Sequence, residues 1–497
     1  MMRRQHSPLL LSLPCVLLTV AACGDDTSSS SDSVADTGDT STTNDTNDTN
    51  TESSESVGDG DGDPTGDGDG DPTGDGDGDP TGDGDGDPTG DGDGDPTGDG
   101  DGDPTGDGDG DPTGDGDGDG DGDGDPCQGM GQEAFDFSYI WVANSPQGTV
   151  SKIDTLTATE VARYASGPAG ATDPSRTSVS GNGKFAVVVN RNGGITMISA
   201  DEEGCVDANN NNTIETSNGP GNVLPWGSDE CVLWNVSLPG TSNQGPRPVS
   251  WTIGDLNPQT CEYSLGDVWV GWYDQPANTG YFRLLDGETG AQLDQVAVPN
   301  WSGMNWGPYG GAIDSENNFW AIGWGQSGPV VKIDGQTHVA TNYGNPGGWI
   351  YGMGLDLSGN TYAAGCGTAN VYRFNKQTES WSTIANVGGS CLRGLQVDRD
   401  GVAWIAKNGS CGLAAIDTLT EPPSVINANI ALPGCSTPVG VSIDAEGYVW
   451  VVDQGASKAF KVDPDTYQIV DEVAGLVSPY TYSDMTGAGI NAQIFPQ

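Results

Sequence analysis

The stretch "VGVSIDAEGYVWVVD", Val439–Asp453, is an apolar run, an Asp-x-x-Gly turn and a second apolar run that opens on aromatic residues. Three looser copies precede it: "GGAIDSENNFWAIG" from Gly310, "GMGLDLSGNTYAAG" from Gly352 and "RGLQVDRDGVAWIAK" from Arg393. Their aspartates, Asp314, Asp356, Asp398 and Asp444, stand 42, 42 and 46 residues apart. Each unit predicts strand, tight turn, strand, with the aspartate carboxylate taking hydrogen bonds from turn amides rather than acting as a catalytic acid. A third apolar run follows ("VVKID", "VYRFN", "LAAID", "AFKVD"), then a more variable fourth. Four short strands every 40-odd residues is the sequence sign of a β-propeller blade.

Weaker units lie upstream. "TSVSGNGKFAVVV" from Thr177 reads as a blade with a long insertion, and the stretch from Pro248 as a blade with an enlarged first turn. "YIWVANSPQGTVSKID" from Tyr139 supplies later strands of a blade that lacks a first one. The C-terminal "SPYTYSDMTGAGI", Ser478–Ile490, is the missing piece, because a ring closed this way hides both sheet edges. The expected fold is all-β, a seven-bladed β-propeller closed by a C-terminal strand, with six or eight blades as the fallback.

The repeated D-x-x-G-x-h-W-h pattern, the continuation "VWVVDQGASKAFKVD" and the closing "YTYSDMTG" resemble virginiamycin B lyase-like and NHL/SMP-30-type propellers. The resemblance spans residues 139–490. It implies a fold more than a chemistry. A lyase of that kind is expected to use histidines with a glutamate and magnesium, and beyond the leader the chain has one histidine, His338, expected on an outer strand. The acidic and asparagine metal site of the SMP-30-like lactonases has no recognisable counterpart. No G-x-S-x-G, H-E-x-x-H or phosphate loop occurs.

The N-terminus has the marks of export. Arg3 and Arg4 precede the apolar run "PLLLSLPCVLLTV", too short to span a bilayer, and "VAAC" ending at Cys23 resembles a bacterial lipobox. Residues 1–22 thus read as a lipoprotein signal peptide for the general secretory route, with Cys23 the lipidated residue. Residues 23–126 hold 34 Asp, 2 Glu and no basic residue, so they carry −36 of the net −55. They include seven tandem copies of "GDGDGDPT". Glycine, like-charge repulsion and proline all oppose ordered pairing, so this segment reads as a disordered acidic linker. Residues 127–497 form the propeller domain. With only 17 basic residues in the chain, a phosphate-neutralising patch is not expected, and nucleic acid is excluded as a partner.

Eight cysteines remain once Cys15 and Cys23 are set aside. An even number in an exported chain, with no C-x-x-C spacing, points to disulfides. Cys366 and Cys411 fall in turns between second and third strands, Cys391 and Cys435 in links between blades. The near-equal spacings, 25 and 24 residues, predict Cys366–Cys391 and Cys411–Cys435. On the opposite face Cys205–Cys231 closes the insertion, and Cys127–Cys261 follows by elimination.

Within that insertion Asp207, Asn209, Asn211, Thr213 and Glu215 alternate like the first half of a calcium loop, although position 12 is Asn218 instead of glutamate. One structural Ca2+ is therefore expected, and no organic cofactor; the alternative is a polar loop stapled by a disulfide. Trp272, Trp301, Trp306, Trp324 and Trp349 fall in loops of the face that carries Cys366 and Cys411. They either stack on a ligand or wedge between neighbouring blades. These features together describe a monomeric, lipid-anchored protein of the bacterial cell envelope, at the outer membrane or cell surface. Its propeller would bind an extracellular carbohydrate, peptide or envelope protein, or serve as a scaffold. The alternative is a propeller lyase or lactonase.

Overall fold

The computed structural model describes residues 138–241, 243–301 and 306–494. Cys23, the acidic segment and Cys127 with its expected bridge to Cys261 lie outside the described residues. Seven antiparallel sheets, six of four strands and one of three, follow one another along the chain as blades 1 to 7. The innermost strands of blades 2 to 7 are Pro174–Val179, Val249–Trp251, Pro308–Ile313, Ile350–Leu355, Leu392–Val397 and Pro438–Ile443. Each runs from the face of inter-blade links, the upper face, to the face of first turns, the lower one. The described part is thus a seven-bladed β-propeller.

Blade 1 has Tyr139–Asn144, Thr149–Asp154 and Thr159–Ala165 but no inner strand of its own. The C-terminal segment takes that place. Trp141 N donates to the Met485 carbonyl at 3.0 Å, Tyr480 N to the Ala143 carbonyl at 2.9 Å, and Ala143 N to Thr481 Oγ1 at 2.7 Å. Side-chain acceptors interrupt the ladder, so the segment closes the ring without forming a regular strand. Instead of continuing as a strand to Ile490, the chain turns into a short helix, Ala488–Ile494. On the lower face, Lys461 Nζ of blade 7 donates to the Thr155 carbonyl of blade 1 at 2.7 Å and reinforces the closure.

The repeated aspartates do what their spacing suggests and one thing more. Asp398 Oδ1 accepts from the backbone amides of Asp400 (3.0 Å) and Val402 (2.8 Å), while Oδ2 accepts from the Trp404 indole at 2.7 Å. Asp444 repeats this with Glu446, Tyr448 and Trp450, and Asp314 with Glu316, Asn318 and Trp320. In blade 5 a tyrosine replaces the tryptophan, and Asn360 Nδ2 donates to Asp356 Oδ2 at 2.9 Å. Four residues before each aspartate stands a glycine. A Cβ on Gly352 would lie 2.1 Å from the Arg393 carbonyl oxygen, and one on Gly440 1.8 Å from that of Thr481. Inner strands approach there more closely than a side chain allows.

The bridge Cys205–Cys231, expected to close the insertion, and the bridges Cys366–Cys391 and Cys411–Cys435, expected from their spacings, are all formed. The latter two each join a turn to the link that leaves the same blade.

Burial holds the carboxyls of Asp398 and Asp444 above the ordinary aspartate value of 3.8. Between the unfolded and folded values the folded chain binds more protons, so these groups contribute stability that falls as pH rises through that window. Trp404→Phe removes the donor to a buried carboxylate oxygen. It should cost about 1–3 kcal/mol in urea unfolding and steepen the fall in stability above pH 3.8. An unchanged midpoint would show that the indole bond is dispensable.

Candidate functional site

The two ends of the central channel differ. At the lower end, Asp484 accepts from the backbone amides of Gly489 (3.1 Å) and Ile490 (2.9 Å) and from Gln396 Nε2 at 3.2 Å. These bonds anchor the C-terminal helix across the channel. Gln493 Nε2 donates to the Asp356 carbonyl at 2.9 Å, and Ile490 packs into the core beside Val249 and Ile313. Only about 40 Å³ remains among Gly311, Met353, Leu395 and Ile490. Beside the helix a cleft of about 280 Å³ is lined by Tyr139, Asp398, Asp444, Glu446 and Asn491. Its repeated aspartates are already committed to their turns.

The upper end is aromatic and cationic. Tyr309 and Tyr351 are the second residues of their inner strands, and Tyr480 and Tyr482 come from the closing segment. The Tyr309 and Tyr480 hydroxyls share a hydrogen bond at 3.1 Å, and Tyr351 bonds the same Tyr480 hydroxyl. Arg176 Cζ lies 3.1 Å from the Tyr482 ring centroid and 5.1 Å from that of Tyr309. Arg247 lies over Trp306 and Tyr309 at 4.9 and 5.3 Å, and Arg393 over Tyr351 at 4.8 Å. Burial pushes the Arg176 guanidinium down to about 10, still charged at neutral pH. Above this group, Trp324 meets Trp306, Trp349 and Tyr309 at centroid distances of 5.9, 5.0 and 6.2 Å.

Three of the five expected ligand-binding tryptophans therefore meet at the upper mouth, and two stand elsewhere. Trp301, 1% exposed, packs on Phe282 and fills the space over Gly280. Trp272 stacks on Tyr281 at 5.7 Å beneath Arg283, in an outer groove. Trp324 is itself 8% exposed, while Trp306 and Trp349 are half-buried. Three of the five, Trp272, Trp301 and Trp324, are thus buried, so packing takes most of these rings, while Trp306 and Trp349 stay partly open. His338 sits in the turn before the outermost strand of blade 4 (Ala340–Asn342), 2.5 Å from Asp294 and edge-on to Trp269, away from the channel.

In the insertion, Asn209 and Asn211 each donate a side-chain amide to Glu215 at 2.7 Å. Asp207 accepts from the amides of Asn211 and Asn212 at 3.1 and 2.8 Å, and Thr213 N donates to Asn211 Oδ1 at 2.8 Å. The Asn211 amide chiefly holds the Glu215 carboxyl below its ordinary value. Glu230, which the alternation does not point to, joins the group by accepting from Ala208 N and Glu215 N, both at 2.9 Å. Asp229 is buried against Ser217 instead.

Among the described residues, one trio of metal-capable side chains converges: Cys411, Cys435 and Asp453. Its cysteines are joined in a disulfide.

The arginines went unseen in the sequence because they lie in different blades. The signal that finds Tyr309, Tyr351 and Arg393 is their shared place, five residues before the repeated aspartate.

No family model and no curated protein matches the chain. Its structural neighbours include virginiamycin B lyase. The inactive Staphylococcus aureus enzyme with quinupristin aligns at TM-score 0.43 and 15% identity, covering 62% of this chain and 86% of that one. A functionally unknown protein from Desulfotomaculum acetoxidans aligns at TM-score 0.49 and 11% identity, covering 69% and 98%. Hydrazine synthase of Kuenenia stuttgartiensis aligns at 0.46 and 10%, covering 66% and 93%. These likenesses concern the fold, and the site here rests on this chain's own residues.

Proposed function

We propose that the protein is an exported, lipid-anchored binding module whose propeller takes an extracytoplasmic ligand at the upper mouth. One observation carries the reading: tryptophans, tyrosines and arginines from separate blades converge at one end of the channel, while the helix closes the other. Half-buried Trp306 and Trp349 offer flat apolar faces, and the rings and guanidiniums beneath supply specificity, the usual make-up of a small-molecule or peptide site. Three disulfides argue for a non-cytoplasmic chain, and among the described residues no helix is long and apolar enough to cross a membrane.

Arrays of glycans and peptides, followed by titration of hits through tryptophan fluorescence, test the binding role. The double substitution Trp306→Ala/Trp349→Ala should weaken a hit about tenfold or more, since aromatic anchors dominate such contacts, with little change in unfolding midpoint. Equal binding by the variant would place the site elsewhere. For the anchor, Cys23→Ala should move the protein from the membrane fraction to the soluble one and abolish labelling by a radioactive fatty acid; retention with the membrane would remove the lipid. On this reading the Asp207–Glu215 loop, with Glu230, holds a structural Ca2+ through its carboxylate and amide oxygens. Calcium should then raise the thermal midpoint of the wild type and leave Glu215→Gln unmoved. A wild type indifferent to calcium and to chelator would leave the loop a stapled polar turn.

A further inference from the structure

We propose that the upper channel is an anion site, built on Arg176, that takes one single-headed anion: a halide ion or the carboxylate group of a small acid. The inference rests on reading the upper mouth as the binding end and names the chemistry received there.

Arg176 is 1% exposed. Its Nη1 donates to the Ser175 carbonyl at 2.7 Å, but Nε and Nη2 are buried and meet no acceptor. Burial is the main influence on it; its neighbours are the neutral phenol rings of Tyr309, Tyr480 and Tyr482, and the cation Arg247 adds to the penalty. The Tyr482 hydroxyl, on the ring against which Arg176 stacks, is also buried and without a partner. A desolvated guanidinium without a counter-charge is strongly unfavourable. The chain does not lack carboxylates, having 72 acidic residues. Asp173, three residues away in sequence, is ion-paired with Arg191.

The placement of this arginine is specific. Ser180 stands in blade 2 where later blades carry the repeated aspartate, so Arg176, four residues earlier, occupies the position held by Gly310, Gly352, Gly394 and Gly440. The strand registers agree: Arg176 pairs with Val189 as Gly310 pairs with Ile322, each just past the same irregularity. Four blades thus keep glycine where one has a long cation among phenol rings. Guanidinium N–H groups and a phenol O–H are the donors that suit an anion. Tyr309 and Tyr480 are both fully buried, so an anion at Arg176 would have to be a small head group, with any organic remainder lying toward Trp306 and Trp349.

The test uses the purified protein in two ways. Crystals soaked in sodium bromide should show an anomalous peak within hydrogen-bonding distance of the Arg176 guanidinium. Thermal unfolding is then followed against chloride, bromide, acetate and benzoate, with ionic strength balanced by a bulky sulfonate salt. The wild-type midpoint should rise saturably, and the half-saturating concentration should be about tenfold or more higher in Arg176→Gln, as for a lost charge-assisted bond. Tyr482→Phe, which keeps the ring, should weaken the response in the same direction and serves if Arg176→Gln fails to fold. A halide response alone identifies a resident ion, and an acetate or benzoate response the head group of an organic ligand; both support the site. No bromide at Arg176, with identical responses in wild type and both variants, overturns it. A neutral ligand bound equally well by wild type and Arg176→Gln would overturn the anion site and keep the binding role. Bromide at Arg176 with no array hit would do the reverse.

Discussion

Each of the clearest blades depends on one carboxylate. Asp314, Asp398 and Asp444 collect two turn amides on one oxygen and an indole N–H on the other. The turn after the inner strand and the large ring on the next strand are thereby fixed by a single buried group. Such a group is expensive to bury and so must be fully bonded. Satisfying it sets the turn geometry, the register of the first two strands and the position of the tryptophan between sheets. With these fixed, the inner strands of blades 5 to 7 come so close that a Cβ on Gly352, Gly394 or Gly440 would run into backbone. The wheel is tight at its hub because its turns are rigid at the rim of the channel.

That dependence explains what was legible in the sequence. Blades 4 to 7 announce themselves through the aspartate, and the paired cysteines at near-equal spacing locate two bridges on the same face. Blade 2 has Ser180 in place of the aspartate, with Ser180 Oγ bonding Asn182 and the Phe185 amide, so its signal is weaker although its sheet is complete. The closing segment was legible as a partner for blade 1 but not as irregular backbone. Thr481 and Asn144 side chains take over bonds that a regular ladder would make through the backbone. The helix that follows carries no strong pattern of its own. Its seven residues are held by Asp484 and by packing inside the ring, information the local sequence does not contain.

The site was legible in part for a related reason. Tryptophans stand out by rarity, and three of the five meet at the mouth. The sequence could not say which rings would be spent on packing, because Trp301 and Trp306 lie five residues apart in one link and end in different environments. The arginines are ordinary residues singly. Only a ring that brings positions 176, 247 and 393 together makes them a group, and that proximity is a property of closure.

Closure also decides what can reach the arginines. Arg176 and Arg247 are almost wholly buried, ringed by tyrosines and covered by tryptophans. An anion that reaches them must therefore be small, or must carry an apolar body that the tryptophans accept.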